Sequence, residues 1–272
     1  MDLGLKGKVC CVTGGSRGIG FAAAKAFLAE GAKVAICARE RDALLEAEGQ
    51  LRRFGEIAAF EADATHPEGM DAFAAFAAGR FGGIDCWVNN VGATVPRKGG
   101  AWTPEELRLT EALCFDSVLW GCQAARPYLR ERGGGAIVNV SSLAARCGTA
   151  GRSTLYGPLK AAVNQLSIML AAEYAADGIR VNAVLPGFTL TPAARATIPE
   201  AELARNARGT LLGRLARPEE IAAPIVFLCS PQASYVTAAS LEVSGGRAAV
   251  LNPEIAHQHT GTHTTPRTEG FL

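Results

Sequence analysis

Short apolar runs alternate with longer stretches of helical period along almost the whole chain. The short runs predict strands at Val9–Thr13, Lys33–Ala38, Glu56–Glu61, Ile84–Asn89, Ala136–Ser141, Arg180–Leu185 and Ser240–Val243. The longer stretches predict helices that include Gly18–Glu30, Arg41–Phe54, Thr103–Arg132 and Thr154–Asp177. Strands such as the one containing Ile137–Val140 are nearly continuous apolar runs, which is typical of a sheet covered by helices on both faces.

Repeated strand–helix–strand units imply right-handed crossovers between parallel strands. The 272 residues are close to the upper size of one hydrophobic core, and no linker-like segment divides the chain. We therefore predict an α/β fold in which residues 1–246 form a single doubly wound domain with a mostly parallel seven-stranded sheet. Residues 247–272 lose the apolar periodicity and are predicted to form an irregular C-terminal tail.

Composition and charge exclude several classes of protein. Hydrophobic residues make up 49% of the chain and charged residues 19%, which excludes wholesale disorder. With 27 basic and 26 acidic residues, the net charge of +1 gives no reason to expect a nucleic acid or an acidic membrane as partner. The first residues lack the pattern of a secretion signal, and no apolar run approaches the roughly 20 residues of a membrane-spanning helix. We expect a cytoplasmic protein.

Cysteine and histidine are distributed in a way that argues against a metal site. The eight cysteines form no Cys-x-x-Cys pair and lie mostly in apolar runs, which favours buried thiols in a reducing compartment. His257, His259 and His263 fall in the polar tail, where a flexible terminus is the favoured interpretation and metal binding the alternative. His66 lies in a turn-like stretch, so no histidine follows a late strand as a hydrolase triad requires. We expect neither a metal nor histidine chemistry.

A glycine-rich turn follows the first predicted strand and leads into the first predicted helix. It reads Gly14-Gly15-Ser16-Arg17-Gly18-Ile19-Gly20. Gly14 permits a tight turn, Gly18 lets the backbone approach a pyrophosphate, and Gly20 allows the helix to pack against the strand. The N-terminus of such a helix offers free N–H groups to a phosphate. A glycine triplet alone also fits a plain strand–helix turn, but its position after the first strand favours a dinucleotide site.

The end of the second predicted strand indicates which dinucleotide binds. A site for NAD usually has Asp or Glu there, to accept the ribose hydroxyls. Here the strand runs into Arg39, and the first acidic residue is Glu40. Arg39 and Arg17 can pair with a 2′-phosphate through charge-assisted hydrogen bonds. A solvated arginine at the start of a helix is the alternative for Arg39, and we favour NADP over NAD as the cofactor.

Tyr156 and Lys160 are four residues apart in a predicted helix, so their side chains lie on one helix face. A neighbouring ammonium lowers the pKa of a tyrosine hydroxyl, which can then exchange a proton with a carbonyl or an alcohol. The alternative is an ordinary helical tyrosine and lysine. Against it, Lys160 is the only lysine after Lys98, which favours a role that needs a compact ammonium. Ser142, just after the fifth predicted strand, can orient a substrate oxygen.

In these motifs the sequence resembles the short-chain dehydrogenase/reductase family, in its single-domain form. The residues that carry the resemblance are Thr13–Gly20, Asp63, Asn89-Asn90-Val91-Gly92, Ser141-Ser142, Tyr156-x-x-x-Lys160, Asn182 and Pro186–Thr191. They occur in the family's order and at its spacing, over nearly the whole chain. The resemblance implies a Rossmann-like fold, an active site at the carboxyl ends of the strands, and hydride transfer at C4 of a nicotinamide.

The resemblance also implies roles for particular residues. Tyr156 would be the acid/base, Lys160 would lower its pKa and bind the nicotinamide ribose, and Ser142 would hold the substrate oxygen. Asp63 would contact the adenine, the Asn89–Gly92 segment would line the adenosine side, and the Pro186–Thr191 segment would cover the nicotinamide carboxamide. The expected cofactor-binding residues are Gly14, Ser16, Arg17, Gly18, Ile19, Gly20, Arg39, Asp63, Asn89, Asn90, Gly92, Tyr156, Lys160, Pro186, Gly187, Thr189 and Thr191.

One position departs from the family's pattern. Cys114 stands thirteen residues before Pro127, where the family usually has an asparagine that holds a water linking the lysine to solvent. Cysteine cannot offer the donors and acceptor of an amide. Either Ser117 or backbone groups hold that water and the enzyme is a working reductase, or the proton relay is impaired. A redox-active Cys114 is the third interpretation, and the least favoured because the position is expected to be buried.

Together the motifs and the resemblance predict an NADP-dependent ketoreductase or alcohol dehydrogenase with a small-molecule substrate. The substrate is expected to contact Ala93–Trp102, Leu143–Leu155 and Thr189–Leu215. One alternative is an isomerase, dehydratase or cyclase that uses Tyr156 for proton transfer without net cofactor turnover. Another is a cofactor-bound regulatory subunit without catalysis. Because the family usually forms tetramers or dimers through its long helices, we expect a homo-oligomer.

Overall fold

Seven strands form one sheet in the computed structural model of this chain, which describes residues 2–95, 101–148, 154–250, 253 and 255–258. The strands are β1 (Val9–Thr13), β2 (Lys33–Ala38), β3 (Ile57–Glu61), β4 (Cys86–Asn89), β5 (Gly135–Val140), β6 (Ile179–Pro186) and β7 (Ser240–Val243). Their order across the sheet is β3-β2-β1-β4-β5-β6-β7, and every neighbouring pair is parallel. The predicted α/β fold is confirmed, with a sheet that is parallel throughout rather than mostly parallel.

Helices cover both faces of this sheet. The helices of the described residues are α1 (Gly18–Ala29), α2 (Arg41–Leu51), α3 (Pro67–Phe81), α4 (Pro104–Glu111), α5 (Ser117–Glu131), α6 (Tyr156–Glu173), α7 (Pro192–Thr197), α8 (Glu200–Arg208), α9 (Pro218–Cys229) and α10 (Ile255–Gln258). Apolar side chains of α1, α2 and α9 form one core, and those of α3, α5 and α6 form a second. Along β1, Cys10 and Val12 belong to the first core and Cys11 to the second. Both faces of a strand are therefore buried, which explains its continuous apolar sequence.

Two helices that we predicted as continuous are interrupted. The predicted helix Thr103–Arg132 consists of α4, a π-helical turn at Ala112–Asp116, and α5. The predicted helix Thr154–Asp177 consists of α6 followed by a 3₁₀ turn at Ala175–Asp177. A π-turn inserts an extra residue into the helix and rotates the side chains that follow, an event that apolar periodicity does not reveal.

The predicted tail is described only in part. Ile255–Gln258 form one helical turn, and the division of the chain at residue 246 stays a prediction. His259, His263 and the side chain of His257 lie outside the described residues. Within the described ranges, no cluster of three or more His, Cys, Asp or Glu side chains is placed to hold a metal ion. None of the helices in those ranges combines the length and the hydropathy of a membrane span.

The carboxylate of Asp85 joins the amino-terminal edge of the sheet to the end of α5. It accepts a hydrogen bond from the backbone N–H of Val9 at 2.9 Å and lies 3.1 Å from Nζ of Lys8. The guanidinium of Arg132, just after α5, donates to the same carboxylate at 3.2 Å. The Asp85 side chain is only 9% exposed, so these donors offset the cost of burying its charge.

We expect Asp85→Ala to lower the free energy of unfolding by roughly 2 kcal/mol, because the buried N–H of Val9 loses its acceptor. Asp71→Ala, which removes an exposed carboxylate from α3, is the matched control and should change stability by less than about 0.5 kcal/mol. Urea unfolding with an unchanged slope measures the difference. Equal effects of the two substitutions would contradict this role of Asp85.

Candidate active site

A cavity of about 570 Å³ lies at the carboxyl-terminal edge of the sheet, where parallel strands place the residues that follow them. The predicted site residues that line it are Gly14, Ser16, Arg17, Gly18, Ile19, Arg39, Asp63, Asn90, Gly92, Ser142, Tyr156, Lys160, Pro186, Gly187, Thr189 and Thr191. Gly20 and Asn89 are the predicted site residues that are not part of its lining. The fold thus brings together segments that are far apart in the sequence.

Two glycines of the loop after β1 have conformations that favour glycine. Gly14 and Gly18 have φ values of +64° and +60°, in the left-handed region where a side chain is disfavoured. A Cβ at Gly20 would lie 2.3 Å from the carbonyl oxygen of Gly14. Gly20 therefore acts indirectly, by allowing α1 to pack closely against the loop.

Helix α1 begins at this loop with an N-terminus that no side chain caps. Its N-cap residue, Arg17, is extended, and the first turn of the helix contains no acidic residue. The N–H groups of the first turn and the helix dipole favour an anion at this end of the cavity. With the close approach that the glycines allow, these residues fit the pyrophosphate of a dinucleotide.

Asn90 fixes the glycine loop to the end of β4. Its backbone N–H donates to the hydroxyl of Thr13 at 3.0 Å. Its side-chain amide donates to the carbonyl oxygens of Thr13 and Gly14, both at 3.1 Å. Asn90 thus holds the turn in the conformation that leaves room for a phosphate group.

Asn89 points away from the cavity, so its predicted contact with a cofactor is corrected. Its amide donates to Oδ1 of Asn139 at 2.9 Å, and its oxygen accepts from Nε1 of Trp87 at 2.7 Å. Asn139 in turn donates to the hydroxyl of Ser167 in α6 at 2.9 Å. Asn89 therefore belongs to a buried polar network between β4, β5 and the helices. Neighbouring residues of a strand face opposite ways, and the sequence does not say which of Asn89 and Asn90 faces the cavity.

Arg39 and Asp63 lie side by side in the lining of the cavity. Nη1 of Arg39 is 4.0 Å from Oδ2 of Asp63, and the arginine side chain is 57% exposed. Burial opposes ionisation of Asp63, but hydrogen bonds from the N–H and hydroxyl of Thr65, with the charge of Arg39, lower its pKa. Asp63 is therefore a fixed, ionised acceptor, and Arg39 is an accessible cation beside it.

Ser142 and Tyr156 line the same cavity, and Ser142 acts to lower the pKa of the Tyr156 hydroxyl. Ser142 begins the 3₁₀ turn Leu143–Ala145, and its hydroxyl oxygen accepts from the N–H of Ala144 at 3.1 Å. Tyr156 is the first residue of α6.

The substrate contacts predicted at residues 96–100 and 149–153 lie outside the described residues.

The ammonium of Lys160 is buried in the lining of the same cavity. Its Nζ donates to the carbonyl oxygen of Val140, the last residue of β5, at 2.9 Å. The hydroxyl of Ser141 donates to the backbone carbonyl of Lys160 at 2.9 Å, which ties α6 to the strand. A Cβ at Gly92 would lie 2.8 Å from Nζ, so the glycine makes room for the ammonium. We did not predict these roles of Val140 and Ser141, because only their place at the end of a strand indicates them.

Burial raises the pKa of Tyr156 to about 12, so our expectation of a lowered pKa is wrong for this arrangement. The Cys114 thiol adds to the increase, and Ser142 opposes it. Nζ of Lys160 lies 5.9 Å from the centre of the tyrosine ring, and burial lowers the pKa of the ammonium itself. The spacing of Tyr156 and Lys160 predicts that both side chains lie on one helix face. It does not predict how far burial raises the pKa of the phenol. At neutral pH Tyr156 is therefore a protonated donor.

Cys114 lies in the π-turn between α4 and α5. It is close enough to Lys160 and Tyr156 for electrostatic interactions with both side chains. Its Sγ donates to the carbonyl oxygen of Ala93 at 3.3 Å. Burial raises the pKa of this thiol, which argues against the redox-active interpretation. Ser117, considered above as a substitute partner for a water, donates its hydroxyl to the carbonyl of Leu113 at 2.9 Å.

The sheet order, the glycine loop and the Tyr156–Lys160 pair define a class of oxidoreductase, and the comparisons with known proteins agree. Residues 14–248 match a family model described as Enoyl-(Acyl carrier protein) reductase. The chain belongs to the short-chain dehydrogenase/reductase family, whose members use a nicotinamide cofactor.

Individual relatives resemble the chain over most of its length. It is 37% identical over 250 residues to the 3α-hydroxysteroid dehydrogenase of Mediterraneibacter gnavus, which covers 90% of this chain and 98% of that protein. It is 38% identical over 252 residues to 3β-hydroxysteroid dehydrogenase 1 of Eggerthella lenta, with 89% and 94% of the two chains covered. The crystal structure of L-sorbose reductase from Gluconobacter frateurii, complexed with NADPH and L-sorbose, matches with a TM-score of 0.85 at 33% identity, over 92% of this chain and 100% of that one.

We expect Gly20→Ala to weaken binding of a nicotinamide dinucleotide by at least roughly tenfold, because the new Cβ would displace the backbone of Gly14. Gly79→Ala is the matched control, since Gly79 lies in α3 and a Cβ there would meet nothing within 4 Å beyond the backbone of its own helix. It should leave binding unchanged and stabilise the fold by roughly 0.5 kcal/mol. Fluorescence titration with NADPH measures both affinities, and unchanged binding by Gly20→Ala would contradict the packing role of Gly20.

Proposed function

We propose that this protein is an NADP(H)-dependent ketoreductase or alcohol dehydrogenase that interconverts a small-molecule carbonyl compound and its alcohol. One observation carries the proposal: Ser142, Tyr156 and Lys160 line the same cavity as the glycine loop, with Nζ of Lys160 5.9 Å from the centre of the tyrosine ring. A nicotinamide cofactor, when bound, supplies or accepts the hydride.

In the proposed reaction, side chains of the protein bind and protonate the substrate oxygen. In the reducing direction, the protonated Tyr156 donates its proton to that oxygen, and its raised pKa keeps this proton in place at neutral pH. Ser142, which lines the same cavity, holds the same oxygen by a second hydrogen bond. The charge of Lys160 stabilises the phenolate that remains after the proton has left. Lys160 is buried and Ser142 and Tyr156 are half-buried, which limits the access of water that would compete for these bonds.

The preference for NADP rests on two arginines that line the cavity, Arg17 in the glycine loop and Arg39 directly after β2. The guanidinium of Arg39 is accessible, and a 2′-phosphate can form charge-assisted hydrogen bonds with it. The structural relative L-sorbose reductase has been seen with NADPH, which supports the same preference here.

The proposal extends to the chemical class of the substrate and to the oligomeric state. Two relatives are named hydroxysteroid dehydrogenases, which supports an alicyclic alcohol or ketone as the substrate of this chain.

A homodimer or homotetramer would cover the exposed apolar side chains of α4 and α6, which include Leu107, Leu109, Ile168 and Met169.

The second candidate function is an isomerase, dehydratase or cyclase that uses Tyr156 for proton transfer without net cofactor turnover. The presence of Cys114 where the family usually has an asparagine favours it, because the thiol is bonded to Ala93 and does not offer an amide's donors. Product formation without consumption of NADPH would identify this function.

We expect Tyr156→Phe to lower kcat for ketone reduction by roughly 10²- to 10⁴-fold, because the proton donor is lost. The dissociation constant for NADPH should change far less than kcat, since the other expected cofactor-binding residues remain. Tyr235→Phe, which removes the hydroxyl of a fully exposed tyrosine, is the control and should be as active as the wild type. Steady-state rates of NADPH oxidation with a panel of cyclic ketones measure the effect. Full turnover by Tyr156→Phe would rule out the assigned acid.

We expect Arg39→Gln to raise the KM for NADPH roughly 10- to 100-fold and to leave the KM for NADH unchanged, because only the 2′-phosphate loses its partner. Arg41→Gln is the charge-matched control: Arg41 lies 3.4 Å from Glu61 and does not line the cavity. Kinetics with each cofactor at saturating ketone provide the comparison. An equal rise in KM for NADPH and NADH would show that Arg39 does not bind the 2′-phosphate.

A further inference from the structure

Residues 142–147, named the Ser142 turn below, carry the hydroxyl that holds the substrate oxygen in the proposed reaction. Oγ of Ser142 accepts from the N–H of Ala144 at 3.1 Å, and the carbonyl of Ser142 accepts from the N–H of Ala145 at 3.0 Å. These bonds fix the shape of the turn, and because one of them is made by Oγ, the direction of the hydroxyl follows the turn. The place of the turn in the site depends on its contacts with other elements.

The first of these contacts is with α6. A Cβ at Gly157, the second residue of that helix, would lie 2.9 Å from the carbonyl oxygen of Ala144. The Ser142 turn therefore packs directly against the backbone of α6, next to Tyr156. This contact limits how closely the turn approaches the helix.

The second contact joins the Ser142 turn to β7 through Arg146. Nη1 of Arg146 donates to Oε2 of Glu242 at 3.3 Å, and Nη2 donates to the backbone carbonyl of Ser240 at 3.1 Å. The other carboxylate oxygen of Glu242 accepts from the hydroxyl of Ser244. The guanidinium thus uses two nitrogens on one strand, and its planar fork fixes both bonds at once.

The end of β7 that Arg146 binds packs against the segment after β6, which is expected to cover the nicotinamide carboxamide. The N–H of Gly187 donates to the carbonyl of Val243 at 2.9 Å. A Cβ at Gly187 would lie 2.7 Å from Cα of Ser244. Gly187 and Ser142 both line the cavity of the candidate active site. Arg146 therefore links the turn on the substrate side of this cavity to the strand beside its cofactor side.

The ion pair between Arg146 and Glu242 is too exposed to contribute much to the stability of the fold. The two side chains are 46% and 24% exposed, and exposed ion pairs add roughly 0–1 kcal/mol to the free energy of unfolding. A displacement of a catalytic group by about 1 Å, in contrast, can lower a rate by roughly 100-fold. Loss of this pair should therefore affect the reaction more than it affects folding.

From these contacts we propose that Arg146 is a positioning residue for the proposed reaction. By binding Glu242 and the backbone of β7, it holds the Ser142 turn where the hydroxyl of Ser142 faces the substrate oxygen. The inference rests on the proposed function for the role of Ser142. Arg146 itself lies in the lining of an adjoining cavity of about 1220 Å³ and acts through the turn.

Arg146→Met removes the guanidinium and keeps an unbranched side chain. We expect kcat for ketone reduction to fall roughly tenfold, because the Ser142 turn is displaced, while the KM for NADPH stays nearly unchanged. In a Ser142→Ala background the same substitution should change kcat by less than about twofold, since the group through which Arg146 acts is already absent. Arg52→Met, which breaks an exposed ion pair with Glu48 away from the cavity, is the matched control and should behave like the wild type.

Amide hydrogen exchange of the protein without ligands provides a readout that does not depend on turnover. In Arg146→Met, exchange in a peptide that covers residues 142–147 should become roughly tenfold faster. Peptides outside the Ser142 turn and β7 should exchange as in the wild type, and the melting temperature should change little. A merely structural role would instead lower the melting temperature and leave the kcat of the folded protein unchanged.

Three results would overturn the inference: an unchanged kcat in Arg146→Met, a loss of the same size in the Ser142→Ala background, or a rise in the KM for the ketone alone, which would indicate direct contact between Arg146 and the substrate. Failure of the proposed function is a different result. If the wild type reduces no ketone but exchange in the turn still responds to Arg146→Met, the proposed function fails and the anchoring of the turn stands. If the wild type reduces ketones and neither kcat nor exchange responds, the inference alone fails.

Discussion

The buried ammonium of Lys160 imposes the strictest constraint on this site, because a charge with 1% exposure needs a partner. The partner is the carbonyl of Val140 at the end of β5, and Gly92 after β4 leaves the space that the ammonium occupies. Three segments must therefore meet at one point: the end of β5, the loop after β4 and the first turns of α6. Tyr156, one turn before Lys160, is placed beside Ser142 as a consequence.

Burial acts on Tyr156 before the proposed proton transfer, and the charge of Lys160 acts after it. Burial raises the pKa of the phenol and keeps its proton available for a substrate oxygen. The nearby ammonium favours the phenolate once the proton has been given away. The cation that assists the reaction is thus held by a strand carbonyl rather than by an acid, so its charge is not cancelled.

Sequence reasoning succeeded where a feature depends on local spacing. The turn between β1 and α1 and the shared helix of Tyr156 and Lys160 follow from neighbours a few residues away. It failed where packing between distant elements decides. The direction of Asn89, the π-turn around Cys114 and the raised pKa of Tyr156 all depend on what β4, α5 and α6 bury between them. The sequence contains no period or motif that reports such burial.

Transfer of deuterium from NADPH labelled at C4 tests the central claim, hydride transfer beside Tyr156, most directly. With a cyclic ketone and the appropriate C4-labelled diastereomer of NADPH, we predict an alcohol that carries deuterium on its carbinol carbon. Unlabelled NADPH in deuterated water should place none on that carbon, because the proton from Tyr156 goes to oxygen. Product that forms from both labelled diastereomers of NADPH without deuterium on the reacting carbon would contradict the account and indicate proton-transfer chemistry alone.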